Sequence, residues 1–290
     1  MPLMCNRSVY KFIVSFLLVL AGVSLPAVAQ EAVDYDLEDI EVSYIYAALM
    51  GTGSYKVDGR RITMLRMPFT WTQKKMTETQ VGFKWHMPVV IGHDKIEGSD
   101  WFEELFPQDL VTLTALPGFE YQIPVTPDWA VKPFGHIGYT HDFVSNEDIV
   151  MAVLGVSSVA RYYLDEEGEW ELRWGNKVRF AAERQHKSKN KSSFGIFETG
   201  IDIRRGTGFR VYRREVDLGG YYRFQYFLPE WNISEAPDRH SDIDNIHELG
   251  FSVGLERPKK LLGISFSRVR VGYKKGGNIR GFTIGGEFPF

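Results

Sequence analysis

From residue 81 to the end, the sequence keeps returning to one pattern: apolar, then small or polar, then apolar. Val81, Phe83, Trp85, Met87, Val89 and Ile91 alternate with Gly82, Lys84, His86, Pro88 and Gly92. Trp170, Leu172, Trp174, Val178 and Phe180 alternate with Glu171, Arg173, Gly175, Lys177 and Arg179. The same holds from Val216 to Tyr226 and from Glu248 to Glu256. Period two identifies a strand with one greasy face and one polar face. Strands of soluble sheets usually stop after about five or six residues, whereas a tilted strand needs about ten to cross a bilayer.

Counting these runs gives about twelve strands, at roughly 40–50, 60–72, 80–92, 110–125, 128–143, 148–164, 168–185, 192–205, 210–228, 245–256, 260–274 and 278–290. Lipid offers no partner to an unpaired backbone edge, so strands that span it must close into a ring. The expected fold is all-β: a closed antiparallel transmembrane β-barrel. An even count puts both termini on one side, the periplasmic one, and makes the connections alternate between faces. The longest connections, Asp94–Asp109 and Pro229–Asp244, then fall outside the cell. Thr126–Asp128, Asp165–Gly168, Gly206–Gly208 and Arg257–Lys259 become short inner turns. Trp71, Tyr121, Trp129, Tyr162, Trp170 and Phe290 collect at the inner rim, as an aromatic girdle does in the headgroup layer. The apolar parity slips near Ser267–Val269 and near Pro133–Phe134, and both slips read as bulges or misplaced strand boundaries.

The N-terminal residues carry a second signal. Arg7 and Lys11 precede an apolar run from Phe12 to Val23, and Ala27 and Ala29 then form a small-residue cleavage site. Residues 1–29 are expected to be a secretory leader, with the barrel domain at 30–290. The single cysteine, Cys5, lies in that leader, so the exported chain has no thiol for disulfides or cysteine metal sites. Without the leader, 32 basic residues stand against 37 acidic ones, a net charge of −5, which offers no nucleic-acid footprint. No later apolar run approaches the roughly 18 residues of a membrane helix.

The C-terminal run Gly281–Phe290, with Phe282, Ile284, Phe288 and Phe290 on one parity, resembles the closing strand of bacterial outer-membrane barrels. Together with Trp129-Ala130-Val131-Lys132-Pro133-Phe134 leading into Gly138-Tyr139, it makes the chain similar to autotransporter-type barrel domains, above all the solitary ones that carry no passenger. That resemblance implies residence in the outer membrane of a Gram-negative cell envelope. It makes Phe288 and Phe290 the signal for the barrel-assembly machinery, and outer-membrane lipids and lipopolysaccharide the surroundings. It supplies a place and a fold but no activity, cofactor or metal. Only residues 30–41 precede the expected first strand, so transport of a passenger is not expected.

Glu171, Arg173, Lys177, Arg179, Asp217, Arg223 and Glu248 fall on the inward parity, as do Glu183, Glu198, Asp202, Arg204 and Glu287. Two readings follow: a porin-like pore whose charges select solutes, or a lumen filled by cross-strand ion pairs. Interleaved signs favour the second. His86 and His136 face inward with Thr114, Glu120 and Asp142 on the same wall, and His141-Asp142 lies near the outer rim. His136, His141 and Asp142 are the acid–base candidates for an alternative function, hydrolysis of lipid or peptide at an outer-membrane site. The loop at Asp100–Pro107 reads as one or two helical turns with Trp101 and Leu105 on one side, either a lid or partner site or a loop packed on its neighbours.

Overall fold

The structure is a computed structural model. It describes residues 44, 50–57, 60–96, 112–167, 169–211, 214–232, 242–261, 264–277 and 279–290. The strands are β1 (Thr52–Val57), β2 (Arg60–Lys74), β3 (Gly82–Ile96), β4 (Thr112–Ala115), β5 (Gly118–Thr126), β6 (Trp129–Asp142) and β7 (Glu147–Tyr163). They continue as β8 (Trp170–Gln185), β9 (Lys191–Val211), β10 (Arg214–Asn232), β11 (Asp242–Leu261), β12 (Ile264–Gly276) and β13 (Ile279–Gly285). Each pairs antiparallel with its chain neighbour, and β1 pairs with β13, with Thr52 opposite Ile284 and Val57 opposite Ile279. That pairing closes the ring. β4 and β5 lie end to end between β3 and β6, broken at Leu116-Pro117, where proline removes a ladder donor. The wall therefore has twelve strand positions, in all-β, closed antiparallel form.

Period two sorts the side chains as the alternation requires. Phe251 is 77% exposed and Val253 51%, while Ser252 between them is 3% exposed. Along β7, Val150 and Leu154 face out while Ile149, Met151 and Val153 are buried. We call the rim at residues 143–146 upper and the rim at the Pro127-Asp128 turn lower. The inner space is layered between them. An apolar core that includes Tyr55, Met64, Val90, Ile149, Met151, Ile246 and Ile279 fills its upper half. Ion pairs lie below that core. Lower still, the C-terminal residues fold inside.

Several expectations change in detail. The strand expected at 40–50 lies mostly outside the described residues, and the first described strand starts at Thr52. Gly206–Gly208 is not a turn: β9 runs on to Val211, the β9–β10 register shifts between Glu215 and Asp217, and Gly208 takes a positive φ of 69°. β9 carries two extra residues there, with glycine in the left-handed region, and this makes a bulge. Arg257–Lys259 likewise lies within β11, whose register against β12 shifts between Gly254 and Lys259. That shift sits opposite Ser267, where the parity slip is visible in the sequence. No bulge occurs at Pro133–Phe134, since β6 stays in register with β7 from Trp129 to Asp142. Phe134 is simply an inward aromatic packed against the core.

Trp71, Tyr121, Tyr162 and Trp170 are exposed on the outer face near the lower rim, and Trp129 there donates its Nε1–H to Ser158 Oγ at 2.7 Å. Phe290 does not join them. The last strand stops at Gly285, and Phe288 and Phe290 are each only 8% exposed. The loop 97–111, with its expected helical turns, lies outside the described residues.

The outer parity of β11 makes a testable demand. Val253→Arg should lose about 2–4 kcal/mol on folding into lipid vesicles, the cost of a cationic side chain at the bilayer midplane, whereas Val253→Leu should fold as the parent does. Ser252, bonded to Arg268 Nη1 at 2.7 Å, is too closely packed to serve as the tolerant control. Equal folding of the Arg and Leu variants would mean that this face does not meet lipid.

Candidate functional site: the barrel lumen

Strand pairing brings alternating charges side by side in the middle layer. Arg179 on β8 meets Glu198 on β9 at 2.9 Å, and Glu198 meets Arg223 on β10 at 3.7 Å. Arg223 in turn meets Glu248 on β11 at 2.7 Å, and Glu248 meets Lys274 on β12 at 3.8 Å. Arg223 lies directly opposite Glu248, and Glu248 directly opposite Lys274, so the belt follows from register alone. Glu248 Oε1 also accepts from Tyr221 Oη at 2.8 Å and from Thr283 Oγ1 at 2.9 Å. Arg223 donates to Gln225 Oε1 at 3.2 Å. Lys274 lies 5.4 Å from the Tyr55 ring centroid, and Arg270 lies 4.9 Å from that of Tyr221. A buried carboxylate needs opposite charge close by, and this belt supplies it strand by strand.

A second set lies towards the lower rim. Glu171 pairs with Arg173, Asp202 with Arg204 and Asp217 with Arg268. Glu287 approaches Arg173 at 3.8 Å and Arg204 at 3.6 Å, and accepts from Ser267 Oγ. The structure thus places Glu171, Arg173, Lys177, Arg179, Asp217, Arg223 and Glu248 on the inner face, most of them held by an opposite charge on their own or a neighbouring strand.

Below the belt is a cavity of about 230 Å³ lined by Arg66, His86, Glu120, His136, Ser157, Lys177, Arg179 and Phe290, with Pro88, Leu116, Phe134 and Val153. Phe290 fills its lower side. Gly175 and Gly200 lie directly opposite each other on β8 and β9, and the phenyl ring rests on them. A Cβ at Gly175 would come 2.3 Å from Phe290 Cγ, and one at Gly200 3.0 Å from Cε2. Lys132 Nζ donates to the Phe290 carbonyl at 2.8 Å, and Lys177 Nζ to that of Pro289. The sequence carried one signal of this seat: two glycines on the inner parity of neighbouring strands.

The three acid–base candidates do not assemble. His136 stacks at 5.9 Å from His86, centroid to centroid, and neither of its ring nitrogens has a hydrogen-bond partner among the described residues. His86 meets Thr70 Oγ1 at 3.2 Å and Glu120 at 3.8 Å. His141 and Asp142, adjacent in sequence, point to opposite faces, as strand neighbours must. His141 faces out and binds Asp148 Oδ1 at 2.7 Å, with Tyr139 Oη on the same carboxylate. Asp142 faces in, where it accepts from Tyr44 Oη at 2.7 Å, Ser145 Oγ at 2.9 Å and the Val144 amide at 2.8 Å. The Tyr44 amide donates to Glu183 Oε1 at 3.1 Å. Burial pushes the Tyr44 hydroxyl above its usual pKa, and the Asp142 carboxylate adds to the effect. Asp142 therefore anchors a turn and Tyr44, and its bonds among the described residues come from hydroxyls and amides, with no imidazole among them.

No protein-family model matches the sequence, and no curated protein matches it. Among the solved structures to which the barrel is similar is an autotransporter domain. This is the β-domain of the Bordetella autotransporter BrkA, at 10% identity and a TM-score of 0.48, over 82% of this chain and 96% of that one.

The belt predicts an asymmetry between its members. Glu248→Ala strands Arg223 and Lys274 in the interior and should destabilise the barrel by about 3–5 kcal/mol. Glu171→Ala, beside a half-buried partner, should cost no more than about 1 kcal/mol. Urea unfolding of the detergent-folded protein followed by tryptophan emission measures both, and equal losses would refute the belt.

Proposed function

We propose that this chain is an integral barrel of the Gram-negative outer membrane with a structural or surface-interaction role, its lumen closed to solutes at rest. The filled lumen carries the reading. The apolar core closes the upper half, the charge belt crosses the middle and the Phe288–Phe290 segment occupies the space beneath. A water-filled channel has a polar interior along its whole length, and the apolar core and ion pairs among the described residues favour a closed lumen instead. Membrane residence is supported by the outward apolar band, by the aromatic residues at the lower rim and by strands such as β6, β7 and β8 of 14, 17 and 16 residues. Export through a leader ending at Ala29, with both termini on the periplasmic side, belongs to the same proposal. The hydrolase alternative loses its support, because His136, His141 and Asp142 face different partners.

Planar-bilayer recording tests this reading. The refolded protein should run as a heat-modifiable band and give no sustained conductance steps. Reproducible single-channel steps from that band would overturn the closed-lumen reading, and recovery as a soluble periplasmic protein with no shift on boiling would overturn the barrel itself.

A further inference from the structure

Among the described residues the seam between β1 and β13 is paired in its upper half alone. β1 meets β13 from Thr52–Ile284 up to Val57–Ile279, and β13 meets β12 from Gly276–Ile279 down to Arg270–Gly285. Below Arg270, β12 continues to Ile264 in register with β11 alone, and below Met64, β2 continues to Lys74 in register with β3 alone, apart from the Arg66 amide that donates to Thr52 Oγ1 at 2.9 Å. Among the described residues no strand covers either lower edge, although β12 and β2 approach one another there. Unpaired backbone donors and acceptors facing lipid are costly, and a strand edge is a ready template for another strand.

The residues that would extend β13 along this edge are the ones folded inside. Continuing the Arg270–Gly285 register places Glu287 opposite Arg268, Phe288 opposite Ser267 and Phe290 opposite Ser265. In that position the parity of β13, where Phe282 and Ile284 are exposed and Thr283 buried, turns Phe288 and Phe290 to the outer face and Glu287 to the lumen. The alternation of Gly281–Phe290 thus suits the wall, yet the chain bends at Gly286-Glu287 and carries both phenyl rings inward, stacked 4.8 Å apart. The inner seat is itself built, from two glycines under a ring and two lysines on two carbonyls. One short segment is complementary to two places.

We propose that the lower edge of β12 is a strand-docking surface whose occupant is the chain's own Gly286–Phe290 segment, which exchanges between that edge and its seat in the lumen. Docked on the edge, it satisfies backbone groups that face lipid. It then vacates the ring seat and releases Lys132 and Lys177 into the lower lumen, opening the cavity below the charge belt. The apolar core above stays in place, so the exchange uncovers a pocket rather than a channel. The proposal rests on the barrel reading and goes beyond it.

Two cysteine pairs sharing one member test it, each in protein folded into lipid vesicles. Gly175→Cys with Phe290→Cys reports the inner seat, where a Cβ at Gly175 falls 2.6 Å from that of Phe290, so that the terminal residues need move only about 1 Å to reach the roughly 3.8 Å of a disulfide. Ser265→Cys with Phe290→Cys reports the edge. Both pairs should crosslink within one chain in the heat-modifiable band. A folded barrel that crosslinks only through Gly175 shows a fixed plug and overturns the proposal, and a Ser265 pair that yields dimers shows a second copy on the edge and overturns it equally. Benzoylphenylalanine in place of Phe290 keeps an aromatic ring if the cysteine variants fail to fold. Photo-adducts on both β8–β9 and β12 support exchange, and adducts on β8–β9 alone overturn it. Loss of the heat-modifiable band in every variant, including this last, would strike the barrel reading itself.

Discussion

The hydrogen-bonded closure of β1 on β13 is the interaction from which the other features follow. A sheet that meets lipid cannot leave its edges open, and once it is closed every strand has one face outside and one inside. The alternation of apolar and polar residues then has a single consistent meaning. On the proposed membrane reading the outer set faces lipid, and the inner set is confined to a narrow space with its charges. Charges so confined must pair, and antiparallel register decides which ones do. Arg223 is opposite Glu248 and Glu248 opposite Lys274 because the strands are in that register, not because a site was assembled around a ligand.

The same closure explains why the lumen is layered. Near the upper rim the inward positions are apolar, among them Met64, Ile149, Met151 and Ile246, so that part packs as a small core. At mid-height the inward positions carry charge and form the belt. Near the lower rim β13 ends at Gly285 among the described residues, and Phe288 and Phe290 turn into the space beneath the belt. Lys132, Lys177, Gly175 and Gly200 come from β6, β8 and β9, far from β13 in sequence, and only the curved wall brings them to Phe290.

What the sequence made legible was whatever depends on neighbouring residues. In β8 the parity of Leu172 and Trp174 against Arg173 and Lys177 is visible by inspection, and closure fixes which side each takes. The bulge opposite Ser267 left its mark as a break in alternation. What stayed hidden depends on distant partners. Nothing local says that the chain leaves the wall after Gly285, because Phe288 and Phe290 keep a strand-like alternation while their seat is formed more than 80 residues away. Asp142 looked like half of an acid–base pair, yet its role is to hold Tyr44, 98 residues earlier. The separation of His141 from Asp142 was legible all along, since adjacent residues in a strand cannot share a face.

The central claim is that one parity of the wall faces lipid and the other a dry, filled interior. A nitroxide scan along β7 from Ile149 to Val156, in protein folded into lipid vesicles, reads this directly through collisions with oxygen and with a water-soluble nickel chelate. Val150, Ala152, Leu154 and Val156 should collide strongly with oxygen, and Ile149, Met151 and Val153 weakly with both reagents. High nickel accessibility at Ile149, Met151 and Val153 would reveal a water-filled pore, and the absence of any period-two alternation would contradict a membrane-spanning barrel.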